Sequence, residues 1–128
     1  MIRTEPILAV ENVEASSKWY RMLLQCENTH ENAEVFDQLI DADGTILLCL
    51  HRWGDHEHPS LLSPDRGKAG NGLLLFFRVD QFDKAWERAQ ALQAKIEEEP
   101  HFNPFAGHHE FTLRDLDGYY LTICSMPC

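Results

Sequence analysis

Two stretches decide how this chain is read: Asp41-Ala-Asp-Gly-Thr-Ile-Leu-Leu-Cys-Leu50 and Asp115-Leu-Asp-Gly-Tyr-Tyr-Leu-Thr-Ile-Cys124. Both consist of D-x-D-G followed by an apolar run, and they lie 74 residues apart. An Asp-Gly pair between strand-like runs marks a hairpin, because Gly takes the positive φ that a tight turn requires. Upstream of each copy a strand leads into a helix. In the first, the short apolar run at residues 7–10 precedes Asn12, a helix cap, and then Val13, Ser16, Ser17, Tyr20, Leu23 and Leu24 at helical spacing. In the second, residues 73–79 repeat the strand, Asp80 the cap, and Phe82, Ala85, Trp86, Ala89 and Leu92 the stripe, with Val79 lying 69 residues after Val10. Weaker strands are expected around residues 33–40 and 108–114. The chain therefore reads as one α+β domain, 1–128, made of two tandem βαβββ modules at about residues 1–52 and 72–128. The connection through residues 54–72 carries Pro59, Pro64, Gly67 and Gly70, and at this length it is either a functional lid or a linker. Glu97-Glu98-Glu99 before Pro100 is expected as a solvated helix end, the helix stopping before it because acids are unfavourable at a helix C-terminus.

The 128 residues suit one compact core, and a formal charge of −10 without a Lys/Arg cluster argues against nucleic acid and anionic membranes as partners. Apolar runs stop at about five residues where a spanning helix needs about twenty. The first ten residues lack a signal peptide's basic start and apolar stretch, so a cytoplasmic protein is expected. Cys26, Cys49, Cys124 and Cys128 show no C-x-x-C spacing and read as buried or incidental thiols. Phosphate-loop, dinucleotide, serine-hydrolase and zincin motifs are absent.

The duplication, with Leu8-Ala-Val-Glu-Asn-Val and Ser16-Ser-Lys-Trp-Tyr20 in the first module and Phe111-Thr-Leu-Arg-Asp-Leu-Asp-Gly-Tyr-Tyr-Leu-Thr-Ile in the second, resembles the vicinal oxygen chelate superfamily. That superfamily includes glyoxalases, extradiol dioxygenases, fosfomycin-resistance enzymes and bleomycin-resistance proteins. The resemblance implies that the two modules form a curved mixed sheet around a cavity, often within a homodimer. Metal-dependent members take ligands from the first and last strands of each module. Here those places fall on Glu5, Leu74, Leu48 and Thr122, of which Glu5 alone is a good donor.

Period-two alternation through these places turns Ile46, Leu48, Leu50, Leu74, Phe76, Tyr120, Thr122 and Cys124 toward the expected cavity, giving it an apolar lining. Trp53, just after the fourth strand, suits a rim position from which it stacks on a planar or cationic ligand. Trp86 falls on the apolar stripe and belongs to the core, whereas Trp19 suits core or dimer contact. Phe102 and Phe105 suit either the mouth of the cavity or core closure. Glu110 alternates with Phe111 and is a ligand anchor, a base, or part of a solvated strand face.

The expected function is metal-free binding that sequesters an aromatic or cationic small molecule, with no cofactor and no confident catalytic residue beyond Glu110. The alternative is a divergent lyase, isomerase or dioxygenase holding a divalent metal through Glu5, Glu110 and one or more of His51, His56, His108 and His109. A third is an assembly module without a small ligand. His56-Glu57-His58 reads chiefly as solvated loop, since spacing fixes no third ligand there.

Overall fold

A computed structural model describes residues 1, 3–55, 58–68 and 70–126. His56, Glu57 and Cys128 lie outside the described residues. The chain divides into two compact units, Met1–Lys68 and Ala69–Cys128. The first contains β1 (Ile7–Val10), α1 (Val13–Leu24), β2 (Glu27–Asn28), β3 (Phe36–Ile40) and β4 (Ile46–Arg52). The second repeats the order with β5 (Leu75–Val79), α2 (Phe82–Ala91), β6 (Lys95–Asn103), β7 (His108–Arg114) and β8 (Tyr120–Ser125). Each is a βαβββ module. Two short helical turns, Pro59–Leu61 and Pro64–Arg66, occupy the connection.

The strands form two four-stranded sheets of matching order, β1-β4-β3-β2 and β5-β8-β7-β6. β1 and β5 run parallel to β4 and β8, and the other pairs are antiparallel. This corrects the expectation of one curved mixed sheet around a cavity. β1 and β5 are edge strands of separate sheets, and neither sheet closes on itself.

The two D-x-D-G turns have the same construction. Gly44 and Gly118 hold φ values of 86° and 91° and donate to the carbonyls of Asp41 and Asp115 at 2.9 and 3.1 Å. Asp41 and Asp115 close the hairpins by donating to the carbonyls of Thr45 and Tyr119 at 2.8 and 3.0 Å. Asn12 caps α1 as expected, its side chain accepting from the Ala15 amide at 2.9 Å. Asp80 does not cap α2: the residue before that helix is Gln81, with no side-chain cap bond. The Glu97–Glu99 triplet ends no helix either. It lies in β6, an edge strand where charges and Pro100 discourage pairing with another chain.

The modules differ by one residue at a β-bulge. In the second, Arg114 faces Tyr120, Leu113 faces Leu121 and Phe111 faces Ile123. In the first, Ile40 faces Ile46, but Leu39 faces Leu48 and Asp37 faces Leu50, so Leu47 is the additional residue. The 74-residue correspondence holds up to Ile46 and becomes 73 from Leu48 onward, pairing Cys49 with Thr122 and His51 with Cys124. A one-residue slip exchanges the faces of a strand.

Each helix covers one face of its own sheet. Leu8, Leu39, Leu48 and Leu50 lie beneath α1, whose Val13, Ser16, Ser17, Trp19, Tyr20 and Leu23 are buried. Trp19 meets Tyr20 edge-on with ring centres 5.0 Å apart. Under α2, Ala85 and Ala89 admit Phe111, which contacts Trp86 and Phe82 at 5.1 and 5.5 Å between ring centres. Gly70 approaches the second module's D-x-D-G turn closely. A Cβ there would stand 2.5 Å from Cδ1 of Tyr119, a buried ring, at a φ of 73°. Gly70→Ala is expected to cost about 1–3 kcal/mol in urea unfolding; an unchanged midpoint would contradict that packing.

Candidate functional site

In the second module, the face turned away from α2 follows from cross-strand register: Phe76 beside Thr122 and Thr112, and Arg78 beside Cys124 and Glu110. Outside α2's shelter this face carries Arg78, His108, Glu110, Thr112, Arg114 and Thr122. Glu110 is only 9% exposed. Its Oε1 accepts from Nδ2 of Asn103, and its two oxygens lie 3.8 Å from His108 Nε2 and 3.9 Å from His101 Nε2.

His108 is 2% exposed and connects this carboxylate to Arg78. Arg78 Nη1 donates to His108 Nδ1 at 3.4 Å and to the Ser125 carbonyl at 3.1 Å. Guanidinium can only donate, so Nδ1 accepts and the proton of the neutral ring lies on Nε2. That nitrogen has no hydrogen-bond partner within reach among the described residues. Phe76 is 45% exposed and flanks the group, 5.7 Å from the His108 ring centre, with the Arg78 guanidinium 5.7 Å from its own ring centre. Farther along the face, Glu98 accepts from Thr112 at 3.4 Å and Tyr120 at 3.3 Å. Arg114 lies 4.7 Å over the Tyr120 ring and donates to Glu97 at 3.1 Å.

Glu110, Phe76, Tyr120 and Thr122 therefore share this face with His108, which the metal-holding alternative sets beside Glu110, and the structure adds Arg78 and Asn103 to the group. Alternation along β5 and β7 already pairs Arg78 with Phe76 and His108 with Glu110; the hydrogen bonds between strands were not legible. The face is more polar than the apolar lining expected from sequence. Leu74 is exposed. So are Phe102 and Phe105, and Phe102 packs against His109, whose ring also lies 6.2 Å from Phe82 of α2.

In the first module Leu48 and Leu50 are fully buried on the α1 side, in register with Leu39 and with Asp37 and Leu8. Their neighbours Cys49 and His51 occupy the opposite face, beside Gln38 and Phe36. His51 Nδ1 bonds the Arg52 carbonyl at 2.8 Å, and its ring lies 5.3 Å from that of His58. Trp53 is half-buried, its amide donating to Val10 at 3.2 Å. Glu5 is exposed.

The metal-equivalent positions do not suit a divalent ion. Leu74 offers no donor, Thr122 only a neutral hydroxyl, and the bulge replaces Leu48 by Cys49. Burial pushes the Cys49 thiol up, and nearby Glu5 adds to the effect. Among the described residues no three His, Cys, Asp or Glu side chains converge to hold a metal, although His101 and His108 both flank Glu110.

Burial also raises the Cys124 thiol and pushes that of Cys26 up to about 11, against the opposing charge of Arg21. None of the three supplies a ready thiolate nucleophile. With Cys128 replaced by Ser, native protein should react far more slowly with a thiol-specific reagent at neutral pH than the same protein in urea. The neutral Cys26 thiol is favoured by folding, so its stabilisation is complete below its ordinary value of 9.0 and is lost as pH rises through about 11. Unfolding midpoints measured from pH 8 to 11 should fall, less steeply in Cys26→Ser; an equal slope would contradict this.

Two βαβββ modules of matching strand order agree with the comparisons. Residues 3–123 match the Glyoxalase/Bleomycin resistance protein/Dioxygenase superfamily, and the chain belongs to it. TioX from Micromonospora sp. ML1 has a similar structure, with a TM-score of 0.76 and 18% identity over 98% of both chains. A glyoxalase/bleomycin resistance protein/dioxygenase family enzyme from Burkholderia phytofirmans PsJN gives 0.73 and 19%, over 94% of this chain and 95% of that one. A lactoylglutathione lyase from Agrobacterium tumefaciens gives 0.69 and 18%, over 97% and 92%. At these identities the likeness is one of fold. No curated protein matches. Among the described residues no helix is long and apolar enough to cross a membrane.

Proposed function

We propose that the chain binds a small molecule without a metal, in the manner of bleomycin-resistance proteins, and sequesters a cationic aromatic ligand against the face of Glu110 and Phe76. The observation that carries this reading is the Glu110 carboxylate. It is nearly buried, and Asn103 and two histidines face it, with no Lys or Arg within 4 Å among the described residues. A buried carboxylate without a permanent counter-charge is costly, so a cation placed there gains more than it would at an exposed acid. Phe76 offers an accessible ring for stacking, and the net charge of −10 attracts cations at long range.

Elemental analysis of the purified, untagged protein tests the metal-free part. Substoichiometric zinc, nickel, manganese and iron are expected. One metal per chain, lost in Glu110→Ala or Glu5→Ala, would overturn it.

A further inference from the structure

The first module contains a cleft of about 490 Å³ between α1 and the chain running from β2 to β3, remote in sequence from Glu110. α1 turns Glu14, Ser17, Lys18 and Arg21 into it, a single stripe at helical spacing. The facing wall carries Glu27, Glu31 and Asp37. Its size is that of a small-ligand site.

The two charged groups fixed most firmly in this cleft do not pair with each other. Asp37, 1% exposed, accepts from the Gln38 amide at 2.8 Å, the Asn28 side chain at 3.0 Å and the His30 amide at 3.2 Å. The basic group closest to it is the His30 ring at 3.8 Å. Arg21 is held by Nε, which donates to the hydroxyl and carbonyl of Ser17 at 3.1 and 3.3 Å. Its two terminal nitrogens bond no described residue. Lys18 forms no ion pair among the described residues either. Carboxylate and guanidinium are each oriented by neutral partners and left without a counter-charge, the arrangement of a preorganised ligand site rather than of a structural salt bridge.

A ligand that satisfies both walls carries a carboxylate for Arg21 and Lys18 and an amine for the acids. Four carboxylates face two permanent cations, so the favoured ligand bears more positive than negative charge. We infer that this cleft binds a free basic amino acid, its carboxylate on Arg21 and its ammonium groups toward Asp37 and the acidic rim.

L-Lysine and cadaverine, which is lysine without its carboxylate, test this by calorimetry and amide NMR on the full chain. Lysine should bind saturably, about tenfold or more tightly than cadaverine, as expected when a charge-assisted pair is gained. It should shift the amides of Arg21, Asn28 and Gln38. Arg21→Gln should remove lysine's advantage over cadaverine, and Lys84→Gln, at an exposed position of α2 in the other module, should change neither affinity. If Arg21→Gln does not fold, Lys18→Gln, at an exposed position, must narrow the same difference. Equal affinity of the two ligands for wild-type protein, which marks non-specific attraction to an acidic surface, overturns the inference, as does the absence of saturation by lysine.

Discussion

Phe111→Ala is expected to lower the free energy of unfolding by about 3–5 kcal/mol, the usual cost of emptying a buried aromatic site. Phe111 is fully buried in β7, with Trp86 and Phe82 of α2 packed against its ring. The residues of α2 nearest the sheet are Ala85 and Ala89, too small to collapse into the space the ring would leave. Small domains have about 5–15 kcal/mol in all, so this one substitution removes a large share. Urea unfolding followed by tryptophan fluorescence and far-ultraviolet circular dichroism measures it. A loss below about 1 kcal/mol would mean that α2 is not seated on Phe111.

The second large effect concerns the ligand. Glu110→Gln keeps the shape of the side chain and an oxygen to accept from Asn103, and removes only the charge. Hydrogen bonds to charged groups contribute about 1.5–3 kcal/mol, so a cationic aromatic ligand should bind roughly 10- to 150-fold more weakly. A neutral ligand of the same shape should be affected little. Phe76→Ala should weaken both, because the ring stacks on either. Calorimetric titration of the two variants separates these contributions, and an equal loss for charged and neutral ligands in Glu110→Gln would assign Glu110 a structural role instead.

Much of this architecture was legible in the sequence, for local reasons. Asp-Gly turns, the Asn12 cap and 3.6-residue periodicity act over a few residues, and their repetition exposes two modules. What failed depends on which strand edges pair and in which register, and no single segment carries that information. Glu97, Glu98 and Glu99 carry no mark that separates an edge strand from a helix end; pairing with β7 decides it. The gathering of the strands into two sheets depends on which edges pair, which alternation does not reveal. The bulge at Leu47 is equally silent, because Ile46, Leu47 and Leu48 are all apolar and fit either register. It moves the position equivalent to Thr122 from Leu48 to Cys49, and so moves Leu48 and Leu50 from an expected cavity wall to the interior beneath α1.

The site was legible to the same extent. Glu110 stood out as the acid on the polar face of a strand whose Phe111 and Leu113 turn to the core, and Phe76 followed from period two. Arg78 joins it from β5, 30 residues before His108 and 47 before Ser125, and Asn103 joins it across the β6–β7 hairpin, seven residues before Glu110, through a register that alternation does not reveal. The cleft beside α1 gave no signal, because Asp37 looks like an ordinary strand acid until α1 and the segment after β2 enclose it.

The most direct test of the central claim, metal-free binding of a cationic aromatic ligand at Glu110, is calorimetric titration of the chelator-treated protein with a planar cationic aromatic dye and with its neutral isostere. The account predicts saturable one-to-one binding of the cation, weaker binding of the isostere, and no change when zinc, nickel or manganese is restored. Equal binding of the two dyes, or binding that appears only after a metal is added, would contradict it.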